Sequence, residues 1–365
     1  MFIIICSIVA TIQFLIIIYN LLTLPPVESV KTTHTDQYRE IEILVPVRNE
    51  GEKLRITIPN LVKFSENLHQ ITILDDRSTD NSRDILEQIT AGYKKVHILT
   101  GNELPIGWTG KNHAIHQLIE RSSGKYLLLI DSDTLINDHK IIDGLLSKLI
   151  DDDLDAISVI PHQRSTNGSG SIIFPLMLLW PLSTIPLLLL QQKKNILGAI
   201  ACGQFILIRK DSYLEVNSYS EHPNSIIDDV QLFRAMLSKG MSVRTLWSSG
   251  SIGNNMYGSI IEALNGFAKN FFALNHTSKF MSAVWFILYS SLLISLLFVM
   301  SDPMAFLPII IIMLSVALIN IRYNYPFFGF IFSPIYLLSM ISIDIYSFFK
   351  FRKGSVIWKG REVKL

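Results

Sequence analysis

The chain has 365 residues, of which 49% are hydrophobic and 17% charged. That balance is too apolar for an ordinary soluble protein and leaves room for one sizeable domain with further segments. A net charge of +1 without a basic cluster argues against a nucleic-acid partner, and two cysteines, Cys6 and Cys202, cannot build a disulfide framework.

Phe2 to Leu24 carry no charge. As a helix this stretch reaches about 34 Å, enough to cross a bilayer core. It lacks the basic n-region, short apolar core and small-residue cleavage site of a signal peptide, and Pro25-Pro26 ends it. Residues 1–24 therefore read as an uncleaved transmembrane anchor.

From Glu40 onwards, short apolar runs alternate with helical patterns. Strands are expected at Ile41–Val47, Gln70–Leu74, Val96–Thr100 and Lys125–Ile130, and helices at Glu50–Glu66, Ser82–Gly92 and Lys111–Ser122. Regular β-α-β alternation predicts an α/β fold with a mostly parallel sheet covered by helices, whose right-handed crossovers bring the strand ends to one edge.

The last of these runs empties into Asp131-Ser132-Asp133. Side chains alternate faces along a strand, so the two carboxylates share one side of the chain. They fall at the carboxyl end of the sheet, where open α/β folds bind ligands. Paired carboxylates there suit a hard cation such as Mg²⁺ or Mn²⁺, and a phosphate for it to hold. A turn or helix cap is the ordinary structural account of the same pattern.

Three further polar clusters converge on that edge: Pro46-Val47-Arg48-Asn49-Glu50, Asp75-Asp76-Arg77-Ser78-Thr79-Asp80 and Gly107-Trp108-Thr109-Gly110-Lys111. Singly, each has a plain explanation. Ser78 or Asp80 can cap a helix, Lys111 can be a solvated first-turn lysine, and Arg48 can pair with Glu50. Four such clusters in register at strand ends favour a nucleotide site.

Beyond the sheet, Ser171–Leu190 is uncharged but interrupted by Pro175, Pro181 and Pro186. It reads as a membrane-surface or acceptor-facing segment, with a true span as the alternative. Asp228-Asp229 precede an amphipathic helix, Val230–Met236, where acidic residues also favour the helix dipole. Three apolar stretches follow, Phe280–Met300, Pro303–Asn320 and Pro326–Phe349; the third contains Pro334 and Asp344 and is a candidate for a broken or interfacial segment. Lys31, Arg39 and Arg48 follow the anchor and nothing basic precedes it, which predicts a cytoplasmic domain on a multi-pass cell-membrane protein. Three full crossings after the domain would export the basic tail, so one C-terminal segment is expected to be re-entrant or interfacial. The expected organisation is an anchor at 1–24, a cytoplasmic domain at 25–278, transmembrane segments at 279–350 and a basic tail at 351–365.

The motifs Val45-Pro46-Val47-Arg48-Asn49-Glu50, Asp75-Asp76-x-Ser78-Thr79-Asp80, Gly110-Lys111, Asp131-x-Asp133 and Asp228-Asp229-x-x-Leu232 occur in the order found in family 2 glycosyltransferases of the GT-A fold. Gly107–Lys111, Cys202-Gly203-Gln204-Phe205 and Trp358-Lys359-Gly360-Arg361 resemble a membrane-anchored subgroup, which includes carotenoid-acid glucosyltransferases and hopanoid-associated glycosyltransferases. The resemblance implies a Rossmann-like nucleotide-diphospho-sugar transferase with membrane helices at both ends. It implies that Asp76 meets the uracil, that Pro46, Arg48 and Glu50 surround base and ribose, and that Asp131 lies near the sugar. Asp133 would ligate Mg²⁺ or Mn²⁺, Lys111 would add positive charge near the diphosphate, and Asp229 would be the general base. Trp108, Gly203, Gln204 and Lys269 would face the acceptor. The family commonly has Glu-Asp where this chain has Asp228-Asp229, which leaves the division of roles within that pair open.

The chemistry agrees independently. Breaking a sugar–diphosphate bond needs charge stabilisation on the leaving group, and an acceptor hydroxyl needs a carboxylate to take its proton. A single base opposite the leaving group implies inversion. A nucleotide-sugar donor and a chain held in the membrane at both ends point to a lipid acceptor, reached past Ser171–Leu190 and Phe267–Phe272. Asn265-Gly266-Phe267-Ala268-Lys269-Asn270 stands where processive synthases carry Gln-x-x-Arg-Trp, so a single transfer is expected. Subgroup resemblance alone points to a carotenoid carboxylic acid glucosylated from UDP-glucose. The alternatives are another lipid acceptor (a hopanoid, polyprenyl phosphate or glycerolipid), a polysaccharide synthase, a non-catalytic scaffold, and a nucleotidyltransferase. The last would want a Gly-rich phosphate loop that Val45–Glu50 lacks.

Overall fold

The computed structural model describes residues 1–24, 26–34, 36–138, 140–164, 178–254, 279–351, 355–358 and 361–364. The chain divides into two compact units. One comprises Pro26–His162, Leu189–Asn254 and Ser355–Leu365; the other comprises Met1–Pro25, Gln163–Leu188 and Asn255–Gly354.

The first unit is built on strands β1 (Ile41–Val47), β2 (Gln70–Asp75), β3 (Val96–Thr100), β4 (Tyr126–Ile130), β5 (Thr134–Ile136), β6 (Ala156–Ile160), β7 (His162–Gln163), β8 (Phe205–Arg209), β9 (Val243–Trp247) and β10 (Ile252–Asn254). Seven of them form one sheet in the order β3-β2-β1-β4-β8-β6-β9. β1 pairs parallel with β2 and β4, β2 with β3, and β6 with β9, while β8 runs antiparallel between β4 and β6. The central strands are near-continuous apolar runs, as strands covered on both faces must be. Tyr126 to Ile130 are all buried, as are Phe205 to Ile208.

The antiparallel β8 was not predictable from alternation, because Phe205–Arg209 follows the proline-broken stretch and not a crossover helix. β1 contains one charged residue, Glu42, which is fully buried and fully engaged. Its Oε1 accepts from Thr72 Oγ1 at 2.7 Å and Gln70 Nε2 at 2.9 Å. Its Oε2 accepts the backbone N–H groups of Ser123 at 2.7 Å and Gly124 at 2.9 Å. One carboxylate thus ties β1 to β2 and to the turn that launches β4. Gly124 allows that approach, since a Cβ there would meet the Glu42 Cβ at 2.6 Å.

The predicted strands of the parallel half lie where expected to within one residue; the first two helices are shorter than expected, and the third keeps its length but starts one residue earlier, at Gly110. After β1, Asn49 and Gly51 both take left-handed φ values, 50° and 45°, so the chain turns sharply before a 3₁₀ turn at Gly51–Lys53 and helix α2 at Leu54–Val62. The expected Glu50–Glu66 helix is trimmed at both ends by that turn and by the turns after Lys63. Numbering α1 as the N-terminal helix Phe2–Thr23, the next are α3 (Ser82–Thr90), α4 (Gly110–Arg121) and α5 (Lys140–Asp151). α4 is capped by Thr109, whose Oγ1 accepts from Asn112 N at 3.2 Å. β5 and β10 pair antiparallel, with Asn254 opposite Thr134.

Among the described residues of the second unit, three helices are long and apolar enough to cross a membrane: Phe2–Thr23, Pro303–Arg322 and Phe327–Phe349. The stretch expected at Phe280–Met300 forms a helix at Lys279–Ser295 followed by a 3₁₀ turn, and its described part counts among the shorter apolar helices. Pro334 sits in the first turn of Ser333–Phe351, where its missing N–H costs nothing, so it starts that helix and does not break it. α1 buries one stripe, Cys6, Ala10, Gln13, Ile17 and Asn20. Asn20 serves the break at Pro186: its Nδ2 donates to the carbonyls of Leu182 and Ile185, both at 2.8 Å, and its Oδ1 accepts Leu187 N at 3.0 Å. A buried backbone interrupted by proline must find such partners.

Candidate active site

The loops after β1 and β2 fasten each other. Asn49 N donates to Ser78 Oγ at 3.0 Å, Thr79 N donates to Asn49 Oδ1 at 2.8 Å, and the amides of Glu50 and Gly51 both donate to the buried Ser82 hydroxyl. Asp75 Oδ1 accepts Ser78 N at 3.0 Å, and Asp80 Oδ1 accepts Ser82 N at 3.0 Å, the latter the capping role open to Asp80 from the sequence. Arg48 lies over this platform, its Nη1 donating to the Asp76 carbonyl at 2.5 Å and the Arg77 carbonyl at 3.1 Å. Arg48 and Asp76 are therefore neighbours, with Pro46 and Glu50 on the same strand end.

Asp131 and Lys111 meet directly. Lys111 Nζ lies 2.7 Å from Asp131 Oδ1 and 2.9 Å from Oδ2, with both side chains about a quarter exposed. Burial works against the lysine's charge, yet the carboxylates of Asp131, Asp228 and Asp229 outweigh it and hold the ammonium well above the ordinary lysine range. Asn112 secures the start of α4 by donating to the carbonyls of Pro223 at 3.1 Å and Ser225 at 3.0 Å. The segment leading to Asp228 is thereby locked beside Lys111.

Asp228 and Asp229 open the helix Asp228–Ser238. Asp229 is held by two backbone amides: Gly203 N donates to Oδ2 and Val230 N to Oδ1, each at 2.8 Å. Gly203 approaches so closely that a Cβ on it would lie 3.2 Å from Lys111 Nζ. Asp228 Oδ2 is buried without a hydrogen-bonding partner among the described residues. Burial, reinforced by the negative charges of Asp229 and Asp131 and opposed by Lys111, pushes the Asp228 carboxyl up to about 7. Asp229 is raised for the same first reason. Two like charges beside one ammonium titrate as a pair.

Asp133 lies on the same edge, two residues beyond Asp131. Its Oδ1 accepts from Asn254 Nδ2 at 2.9 Å, and Asn254 is fully buried at the end of β10. The Asn254 Oδ1 is buried and has no hydrogen-bonding partner among the described residues. A buried orphan oxygen beside a carboxylate is the donor chemistry that Mg²⁺ or Mn²⁺ takes. No three His, Cys, Asp or Glu side chains gather as a cage among the described residues, so a cation held at Asp133 would draw its other ligands from Asn254 Oδ1, substrate and water.

Gln204 is buried, and its carbonyl accepts Asp131 N at 3.3 Å and Thr134 Oγ1 at 3.2 Å, so it shapes the Asp131-Ser132-Asp133 turn from β8. Trp108 packs its ring on His113 and His116, with centroids 5.4 and 5.1 Å away. Cys202 adjoins this cluster and is partly exposed, with burial and the Asp229 charge raising its thiol. Lys269, assigned to the acceptor from sequence, lies outside the described residues, as do Phe267–Phe272 and residues 171–177. Asn112 and Asn254 carry no sequence motif; only the pairing of α4 with Pro223–Ser225 and of β10 with β5 reveals them.

Comparison with known proteins agrees with this architecture. Residues 42–216 match the family described as glycosyl transferase family 2. A poly-beta-1,6-N-acetyl-D-glucosamine synthase of Staphylococcus epidermidis is 29% identical over 109 residues, 30% of this chain and 25% of that protein. An uncharacterised glycosyltransferase of Escherichia coli, YibD, is 27% identical over 116 residues, 32% of each chain. The matches span about a quarter to a third of those curated relatives. Among solved structures, the mannosyltransferase PcManGT from Pyrobaculum calidifontis, in complex with GDP-Man and Mn²⁺, superposes with a TM-score of 0.56. It is 14% identical, over 95% of this chain and 99% of that one. The fold is that of GT-A glycosyltransferases.

Proposed function

We propose that this chain, whose residues 42–216 carry a glycosyltransferase family 2 domain, transfers a single sugar from a nucleotide-sugar donor to a membrane lipid with inversion. The observation that carries the proposal is one cluster at the carboxyl edge of the parallel strands. Lys111, Asp131, Asp228 and Asp229 are in mutual electrostatic contact there, beside the Asp133–Asn254 oxygens.

In this reading Arg48, Glu50, Pro46 and Asp76 receive the nucleoside on the platform made by the two fastened loops. Asp131 orients the donor sugar and keeps Lys111 charged near the diphosphate. Asp133, with Asn254 Oδ1 beside it, is the place for Mg²⁺ or Mn²⁺, as PcManGT was solved with Mn²⁺. Such a cation, when bound, supplies Lewis-acid stabilisation of the leaving phosphate charge. The acceptor oxygen attacks the anomeric carbon as the carbon–oxygen bond to the diphosphate breaks. Any acceptor proton passes to the Asp228–Asp229 pair, where Asp229 is aimed by the amides of Gly203 and Val230 and is our choice of general base. Gly203, Gln204, Trp108 and Lys269 belong to the acceptor side.

We take the donor to be UDP-glucose and the acceptor to be a carotenoid carboxylic acid, on the subgroup resemblance of Gly107–Lys111, Cys202–Phe205 and Trp358–Arg361. The catalytic unit is cytoplasmic in this reading, where nucleotide sugars are made. Polymer synthesis is the second reading, favoured by the S. epidermidis relative. Incubating membranes with UDP-glucose and a carotenoid acid, then measuring UDP release and product mass, tests the proposal. One sugar per lipid supports it; a ladder of oligosaccharides supports the second reading; and no UDP release from any nucleotide sugar overturns both.

A further inference from the structure

Glu28 is drawn from the short stretch that follows the N-terminal helix, yet among the described residues its side-chain hydrogen bonds all go to the loop after edge strand β9. Pro26 bridges Trp247 alongside edge strand β9, and Val27 is fully buried in the main core. This pins the chain so that Glu28 faces the loop Ser248-Ser249-Gly250-Ser251. One carboxylate oxygen, Oε1, accepts from Ser248 Oγ at 2.7 Å, Ser249 N at 2.9 Å, Gly250 N at 3.0 Å, Ser251 N at 2.9 Å and Ser251 Oγ at 2.7 Å. Burial alone would raise this carboxyl, but the donors from Ser251, Ser248 and Ser249 lower it to about 2, so it stays an anion throughout the working range. Successive backbone N–H groups converging on one anion form a nest, filled here by the protein's own carboxylate.

The loop leads straight to the cation-binding residues. Ser251 is followed by β10, whose Asn254 donates to Asp133 Oδ1. The loop also grips the end of β5 from the other side. Asn137 N donates to the Ser251 carbonyl and Asn137 Nδ2 to the Gly250 carbonyl, both at 2.7 Å. Gly250, Ser251, Asn254 and Asp133 are therefore one connected frame, and Glu28 sets the position of its outer corner.

We infer that Glu28 is a positioning residue for the cation site: by gathering the β9–β10 loop onto one oxygen it holds Asn254 against Asp133. The inference rests on the proposed cation at Asp133. Partners one step removed from a ligand typically change metal affinity 10- to 100-fold when lost, and Glu28 acts through a further residue, so the lower end applies.

The test uses the full-length protein in detergent, with Mn²⁺ binding in the presence of UDP read from the electron paramagnetic resonance of free Mn²⁺. Glu28→Gln should weaken Mn²⁺ binding about tenfold and raise the Mn²⁺ needed for half-maximal UDP release by the same factor, with little change in the rate at saturating Mn²⁺. Ser251→Ala, which removes one hydroxyl donor and leaves the backbone intact, should move both readings the same way by a smaller factor and covers the case in which Glu28→Gln fails to fold. On an Asn254→Ala background, Glu28→Gln should add nothing. Wild-type Mn²⁺ affinity in both Glu28→Gln and Ser251→Ala would overturn the inference while leaving the proposed function intact, as would fully additive losses with Asn254→Ala. Absence of Mn²⁺ and Mg²⁺ binding by the wild type would overturn the cation assignment itself, and the inference with it.

Discussion

Gly203 and Asp229 are bound together by a 2.8 Å hydrogen bond from the glycine amide to Oδ2, and the same glycine leaves only enough room for the Lys111 ammonium. A side chain at 203 would place its Cβ 3.2 Å from Nζ. The flexible end of the lysine can give way, so Gly203→Ala should fold normally. The ammonium would give way by a few tenths of an ångström from its place beside Asp131 and Asp229; as ~1 Å of misplacement costs about 100-fold in rate, the variant should lose up to about 10-fold. UDP-release kinetics and a thermal unfolding scan check the two halves of that expectation.

The pH dependence follows from Asp228. Its carboxyl is raised to about 7, so it is protonated below that pH and charged above it. With an alcohol acceptor, which must hand its proton to the Asp228–Asp229 pair, activity should therefore climb between about pH 6 and 8 and level off above, with Asp228→Asn removing that climb. The stability effect has the opposite sign. A carboxylate whose folded value exceeds its unfolded value costs stability as pH rises from about 4 through 7. Asp228→Asn should thus raise the unfolding temperature at pH 8, with the gain vanishing near pH 4. A variant no more stable at pH 8 would contradict the burial cost assigned to this group.

Acceptor chemistry can be read from Asp229. A carboxylic acid acceptor, with a pKa of about 4–5, is already ionised at neutral pH, whereas an alcohol must lose a proton during transfer. Asp229→Asn should therefore lose much less activity with a carotenoid acid than with an alcohol acceptor. Equal losses on the two acceptors would count against either the carboxylate acceptor or the base role.

Asp133→Ala should remove the metal-dependent part of UDP binding, seen by calorimetry with and without Mn²⁺. Unchanged affinity with Mn²⁺ present would contradict the assignment of Asp133.

Glu42 tests the frame and not the chemistry. Replacing it with Leu strips partners from the buried Gly124 amide and Thr72 hydroxyl, and from the part-buried Ser123 amide. Unsatisfied buried groups of this kind cost about 1–3 kcal/mol each, so the variant should lose several degrees of unfolding temperature in detergent.

Much of the site was legible from the chain because strand ends in a parallel sheet share one edge. Once Ile41–Val47, Gln70–Leu74 and Lys125–Ile130 are read as strands, Arg48, Asp76 and Asp131 must share one edge. Period-2 alternation and turn residues carried that inference without any knowledge of contacts. Asn254, Asn112 and Glu28 were not legible, because each acts on a residue at least 110 positions away and belongs to no local pattern. The helix bounds slipped around Asn49 and Gly51, since left-handed φ values are a local backbone choice that apolar periodicity does not record.

The sequence by itself determined the fold class, the apolar helices at both ends and the carboxylate motifs, since these follow from periodicity, length and charge within short windows. Only the tertiary structure decided which atoms are engaged. It pairs Lys111 with Asp131, hands Asp229 to the Gly203 amide, leaves an Asp228 oxygen without a partner among the described residues and sets Asn254 against Asp133. Those outcomes depend on how β8 and β10, strands distant in sequence, pack against the edge made by the parallel half. Burial and hydrogen bonding there set each group's charge.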